Sequence, residues 1–436
     1  MTHYKFIIVS LVFLGFSKAK AQDIITLEAA VKVALENNYE IKIASNNSLI
    51  NTTNVTVGNA GMLPTVAATV AANNRVQNSS QTLQNGTTSS LDNAKNNSLN
   101  YGVNLDWTVF DGFKMFAKLD QLKELQKLGE AQLKQTILTK ISAVTSTYFD
   151  LVQQQQQLKA LDSTIVISNQ RLALAQNRFT IGKASKLEVL NAQVDLNTDK
   201  VALLRQKDLY ANTKILFNQI LARDTKTNFK VIDTIKVDAA LVLNELTALA
   251  EKQNPQLEAQ IIALKVAELQ LKQVKGNRYP SLKLSTGYNL ANTQASLGFA
   301  TATSAKGFNY GFSAALNIFD GLAQNRNEKI AHIQIDNSKL LVEEQKLALQ
   351  SQLATSFQTY TTNLELISLE EKNEAIAKQN LAITLDKFKI GTITTLEFRT
   401  AQLNYVNAKV RNSNAQFQAK LSEIALKELA GTINLK

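Results

Sequence analysis

The sequence predicts a mainly helical chain with a β-barrel part: long antiparallel coiled-coil-like rods and four membrane-crossing strands per chain. Three observations predict it. A secretory leader opens the chain, the rest is written twice, and each copy places alternating apolar strands before an uninterrupted run of helix formers.

Composition first narrows the function. The 436 residues are 45% hydrophobic but only 19% charged, and cysteine is absent. Disulfides, thiolate metal sites, cysteine nucleophiles and a lipid-anchored N-terminal cysteine are therefore excluded. Histidine occurs only at His3 and His332, so a Ser-His-Asp triad or a multi-histidine metal site is not expected. The chain does not read as an enzyme, and no cofactor is expected.

Met1 to Lys5 are short and basic, Phe6 to Phe16 are apolar, and Ala19-Lys20-Ala21 offers a cleavage site. Residues 1–21 thus read as a signal peptide, with the mature chain starting at Gln22. The apolar run of 11 residues is too short to span a bilayer as a helix, which takes about 20. Loss of Lys5, Lys18 and Lys20 lowers the net charge from +11 to +8. That charge is dispersed, so nucleic-acid binding is not expected. No later stretch is apolar enough for a membrane helix.

The repeat is explicit. YGVNLDWTVFDG at 101–112 matches YGFSAALNIFDG at 310–321, and RFTIGKASKLEVLNAQ at 178–193 matches KFKIGTITTLEFRTAQ at 387–402, both at an offset of 209. Upstream, Pro64 matches Pro280 and Asn38 matches Asn254 at an offset of 216. The difference falls in the polar stretch 73–100, whose shorter counterpart is 290–309; both read as surface loops. The first repeat spans 22–223 (helix, strand pair 62–110, long helix 113–181, returning helix 185–222). A connector at 224–245 follows, then the second repeat at 246–436 (helix, strand pair 278–319, long helix 322–390, returning helix 394–430).

Each element follows from its residues. Segments 113–181 and 322–390 contain no proline and, between them, one glycine, Gly129. At about 1.5 Å per residue each makes a rod roughly 100 Å long. Leu353, Phe357, Tyr360, Leu364 and Ile367 form a coiled-coil seam, matched in the first copy by Tyr148, Leu151 and Leu158. Ahead of the rods, Tyr101, Val103, Leu105, Trp107 and Val109 alternate with small or polar residues, as do Tyr310, Phe312, Leu316 and Ile318. These are the candidate lipid-facing residues, on strands of about 10 residues, the length that crosses a bilayer when tilted. Four strands cannot close a barrel, and an open edge in lipid is forbidden. Two copies would supply eight strands and three would supply twelve; three suits a conducting pore, since eight leave an interior that side chains fill.

Phe110-Asp111-Gly112 and Phe319-Asp320-Gly321 mark the corners from strand to rod, where Asp is expected to cap the helix and Gly to relax the bend. At the far end, Gly182 and Gly391 suit a left-handed helix stop. Ser185 with Glu188 and Thr394 with Glu397 suit a capping box. Leu187 and Leu396 are either exposed there or fill the turn.

With its duplicated corner and duplicated R/K-F-x-x-G-x-x-x-x-L-E-x-x-x-A-Q turn, the chain resembles the TolC family of outer-membrane efflux proteins over the whole mature length. That resemblance implies a homotrimer: a 12-stranded β-barrel in the outer membrane above a 12-helix α-barrel in the periplasm. It implies the exit duct of a tripartite efflux or secretion system, with a periplasmic membrane-fusion adaptor protein and an inner-membrane transporter as partners. The adaptor-docking tips would be Arg178, Phe179, Gly182, Leu187, Lys387, Phe388, Gly391 and Leu396. Glu188 and Glu397 would stand at the closed periplasmic entrance; a helix-capping role for both is the alternative. The family's second acidic ring falls on Thr400, a departure from its pattern. An alternative of another class is a trimeric coiled-coil surface adhesin or structural spacer, disfavoured by the mid-chain strands and returning helices.

Overall fold

The computed structural model describes residues 23–232 and 234–433; the expected signal peptide lies outside them. The chain opens with β1 (Asp23–Ile25), α1 (Leu27–Asn37), α2 (Tyr39–Asn54), β2 (Thr65–Thr82), β3 (Thr88–Phe110), α3 (Lys114–Thr180) and α4 (Lys186–Ile220). After β4 (Phe229–Val231) come α5 (Leu243–Gln253), α6 (Pro255–Gly276), β5 (Ser281–Ala295), β6 (Ala302–Ala315), α7 (Ala323–Ile390) and α8 (Thr395–Leu429).

The rods α3 and α7 run 67 and 68 residues without a break. No single partner is long enough to cover either, so each is flanked by shorter helices. α3 packs on α2, α4, α6 and α8; α7 packs on α5, α6 and α8. Asparagines join the shorter helices end to end. Asn38 accepts from the amides of Glu40 and Ile41 at 2.9 and 3.3 Å, and its Nδ2 donates to Ile220 O at 2.8 Å. Asn254 does the same with Gln256, Leu257 and Leu429 O, each at 3.0 Å. One side chain thus caps the start of one helix and the end of another, satisfying backbone groups that would otherwise lack partners.

Large apolar side chains concentrate at mid-height. One cluster gathers Tyr148, Phe149, Val152, Phe217 and Phe229 with Ala30 and Val31. Its counterpart gathers Leu246, Leu257, Leu349, Leu353, Tyr360 and Leu426, with Phe357 and Leu364 packed against it. The connector straps across both. β4 pairs in parallel with β1. Tyr148 Oη donates to Ile25 O and accepts from Ile232 N, both at 3.2 Å. Tyr360 Oη donates to Asp238 O. The Asp238 amide donates to Glu423 Oε2 at 3.0 Å, and Lys427 bridges the two carboxylates at 3.2 and 2.8 Å. The expected connector 224–245 gives way to helix α5 from Leu243 onward.

The four long strands form one antiparallel sheet in the order β2-β3-β5-β6. Val66, Leu105, Thr286 and Tyr310 share one row across it, and Trp107, Leu284 and Phe312 another. The opposite face carries Asn104, Gly287 and Asn309 in one row. An apolar face and a small, polar face therefore line the part of the sheet nearest the rods, and beyond about Asn74 and Asn97 both faces are largely polar.

Four expectations need correction. The strands run 18, 23, 15 and 14 residues, not about 10. The polar stretch 73–100 continues as ladder through Asn74↔Asn97 and Ser80↔Ser90 and turns only near Gly86. Leu316 and Ile318 lie beyond β6, which ends at Ala315 opposite Ser281; the next residue on that partner strand is Pro280, which has no N–H to extend the ladder. Finally, Phe113 and Leu322, both at φ 66°, occupy the N-cap positions. Asp111 and Asp320 still cap from two residues earlier, accepting from Met115 N at 3.2 Å and Gln324 N at 2.8 Å.

The strap is expected to be acid-sensitive. The Ala240 amide, then Lys427, hold the Asp238 carboxyl below its ordinary range. A depressed carboxyl contributes stability that is full above its unfolded pKa of about 3.9 and is lost as pH falls through the lower folded value. Limited proteolysis of 232–242 should therefore accelerate below about pH 4, and Asp238→Asn should cleave faster at neutral pH with little further acid dependence.

Candidate functional site: the helical tips

The rods end in two turns built on one plan. At the first, Ile181 ends the helix, Gly182 adopts φ 74°, and the Ser185 side chain accepts from Glu188 N at 3.3 Å. At the second, Gly391 at φ 85° is the C-cap, and Thr394 Oγ1 accepts from Glu397 N at 3.2 Å. Only the second is a full capping box, because Glu397 Oε2 also accepts from Thr394 N at 3.1 Å.

The two acids consequently do different work. Glu397 is exposed and folded back on its own helix start. Glu188 reaches across to the other turn, accepting from Thr395 Oγ1 at 2.7 Å and lying 3.8 Å from Arg178 Nη1. Arg178 also lies over the Phe388 ring at 5.4 Å. A side chain at Gly391 would meet its Nη2 at 2.5 Å, so glycine serves both the left-handed turn and this approach. Phe388 is buried, stacked on Phe398 at 4.9 Å, with Leu381 completing the cluster.

Of the sequence candidates, Arg178, Phe388, Gly391 and Glu188 thus come together. Phe179 stands apart, its ring 5.4 Å from Lys186 Nζ. Leu187 and Leu396 do not fill the turns; they are 65% and 76% exposed and stand at the extreme end of the molecule. Lys387 supplies its carbonyl to the Gly391 and Thr392 amides.

Above the tips lies a cluster whose pairing the turn motif does not reveal, although Arg399 and the motif's last residue, Gln402, belong to it. Arg399 of α8 holds Asp199 of α4 by two bonds of 2.8 Å. Ser168 of α3 donates to the same carboxylate at 2.5 Å, and Gln402 donates to Ser168 at 2.9 Å. Arg171, fully buried, pairs with Asp195. These groups bolt α3, α4 and α8 together. Their only trace in the sequence is departure from the repeat: Arg399 corresponds to Leu190, Asp199 to Ala408 and Arg171 to Asn380.

A sheet with an apolar face set on rods with exposed turns defines a class of protein, the outer-membrane channel. The chain belongs to the outer membrane efflux protein family, whose model matches residues 30–223 and 246–432. It is 23% identical to the outer membrane protein TolC of Vibrio cholerae over 77% of each chain. It is 21% identical to Escherichia coli TolC, over 78% of this chain and 70% of that one. The Campylobacter jejuni CmeC outer membrane channel shares the fold at a TM-score of 0.78 and 17% identity, covering 93% of this chain and 85% of that one. The open state of the Neisseria gonorrhoeae MtrE channel superposes at 0.71 and 16%, over 93% and 88%. The protein is accordingly an outer-membrane efflux channel and a conduit, not an enzyme.

Removing one partner of a buried ion pair costs about 3–5 kcal/mol, because the other charge stays buried. Arg399→Met should strip hydrogen-exchange protection from α8 and from α4 around Asp199, and adding Asp199→Asn should restore part of it. Unchanged exchange in the single variant would show that the cluster does not brace the tips.

Proposed function

We propose that three copies form a passive exit duct. Twelve strands close a barrel in the outer membrane, and the rods wall a tube that extends into the periplasm. Energy comes from an inner-membrane transporter, reached through a membrane-fusion adaptor that docks on the tips. The observation that carries this reading is the four-stranded sheet with one apolar face, one small polar face and, among the described residues, no strand paired on the outer edges of β2 and β6. Such a sheet is tenable in lipid only when closed by further copies, with its polar face around water. On this reading Tyr101, Val103, Leu105, Trp107, Tyr310 and Phe312 meet lipid, and Arg178, Phe179, Gly182, Leu187, Lys387, Phe388, Gly391 and Leu396 form the docking ends.

Single-channel recording in planar bilayers tests the duct. Discrete conductance steps are expected from the purified oligomer; a folded, silent oligomer would favour the spacer alternative. Tip docking is tested by Gly182→Pro and Gly391→Pro, which should abolish export in cells while the protein still reaches the outer membrane. Normal export by both variants would overturn the docking assignment.

Glu188 and Glu397 make separable contributions on this reading. Glu397 keeps its backbone cap and faces solvent, so Glu397→Gln should reduce cation preference without altering fold. Glu188→Gln should also loosen the contact between the two turns. Unchanged ion selectivity in the double variant would leave both acids as structural groups.

A further inference from the structure

We infer that the free edge of β6 pairs with β2 of a second copy in one register, Ser313 opposite Ala71, and that residues 60–63 of that copy seat in the open corner beside Gly321. The inference rests on the oligomeric reading above and fixes which residues meet.

The two sheet hairpins share one pairing register along the part nearest the rods. Shifting β2 by 216 and β3 by 209 turns the observed pair Thr65↔Asp106 into Ser281↔Ala315, which is itself an observed pair. The repeats meet each other through β3 and β5, where Asn104 lies opposite Gly287. The same two shifts convert that pair into Ser313 opposite Ala71. Within one chain these two residues belong to the two outer edges, so the pair can form only between copies. The interface continues the one the chain already makes between its own repeats.

Glycines support this register independently. Gly102 and Gly311 are equivalent. A Cβ on Gly102 would lie 2.0 Å from Asn289 Oδ1 and 2.6 Å from Tyr288 O, so the packed neighbour strand requires glycine there. A Cβ on Gly311 would meet nothing within 4 Å, and its φ is not left-handed. A strand-interior glycine without such a reason only weakens the strand. The register places Asn73 of a second copy opposite Gly311, and Asn73 is the equivalent of Asn289.

The corner repeats the pattern. A Cβ on Gly112 would sit 2.1 Å from Gly276 O and 2.9 Å from Tyr279 Cβ, whereas around Gly321 the described residues leave 4 Å clear. A cavity of about 700 Å³ opens there, lined in part by Ile318, Phe319 and Leu322. The equivalents of Gly276 to Tyr279 are Ala60 to Leu63, and Leu63 is 56% exposed. Along the rods, Gln121 is buried and bonded to Gln270 and Gln273 of α6, while its equivalent Ile330 is 46% exposed on α7. The counterpart of α6 is α2, which packs on α3 of its own chain and, from a second copy, would meet α7 as α6 meets α3.

The absence of cysteine from the chain permits a direct test. Ser313→Cys is combined in turn with cysteine at Ala67, Thr69, Ala71, Asn73 and Arg75, all on one face of β2, and the full-length protein is oxidised after extraction from the membrane. Covalent oligomers should be strongest for the Ala71 pairing, fall off on either side, and be absent from the single variants. Strongest linkage displaced by two or more residues would overturn the register, as would no linkage at any position in a protein that sediments as an oligomer. Sedimentation of the unsubstituted protein as a monomer would instead overturn the oligomeric reading itself. Gly311→Val should cost the oligomer although a Cβ there meets none of the described residues of its own chain within 4 Å; an oligomer recovered at the unsubstituted level would also overturn the proposal.

Discussion

The backbone amides and carbonyls along the outer edges of β2 and β6 dominate the design of this protein. In water an unpaired strand edge is tolerable. In hydrocarbon each unmet group costs several kcal/mol, because no solvent molecule can stand in for the missing strand. The edges are 18 and 14 residues long, so the deficit within the bilayer-spanning portion exceeds the net stability of an ordinary domain, about 5–15 kcal/mol. The fold can reside in a membrane only as part of a closed sheet. Closure in turn demands that successive repeats present the same pairing geometry, which is why the two hairpins share a register although their loops differ in length.

The rods obey a different rule along their height. At mid-level they are locked by aromatic and aliphatic side chains and by the connector, whose backbone is pinned by Tyr148 and Tyr360. Below that level buried polar contacts appear between the mid-level core and the apolar cluster of Leu381, Phe388 and Phe398 at the tips. Gln154 donates to Thr213 at 3.0 Å, Ser413 to Gln156 at 2.8 Å, and the Arg399–Asp199 pair follows. The neutral bonds contribute about 0.5–1.5 kcal/mol net each, whereas breaking the buried Arg399–Asp199 pair costs about 3–5 kcal/mol, so that pair is the firmest tie among these polar contacts.

The alternation of Tyr101 to Trp107, the proline-free rods and the paired turn motifs specify most of this architecture, because each is a local pattern whose physics is local. Strand length is less legible. Asn, Ser and Thr between 73 and 100 have turn chemistry, and only the facing strand, supplying ladder bonds residue by residue, holds them extended. The corner caps were legible in kind but misplaced by two residues, since Gly112 and Phe113 both adopt left-handed angles that a sequence motif does not distinguish. The Arg399 cluster is illegible for another reason: its bonds between helices join residues 24 to 234 positions apart and form only when three helices have packed.

The duplication also explains why the tips need not be equivalent. Duplicated backbones fix the position of each turn, leaving side chains free to diverge. Glu397 spends its carboxylate on its own helix start, whereas Glu188 spends it on the opposite turn. Arg178 and its equivalent Lys387 both lend their carbonyls to the turn amides, but Arg178 also reaches over Phe388 and Gly391. One turn therefore presents a self-contained cap and the other a cross-link. A ring of three copies would display six turns of two alternating kinds. A docking partner that met such a ring would encounter threefold chemistry on a sixfold backbone, and could discriminate the two kinds by the exposed Lys183 and Lys186 of one turn against the threonines of the other.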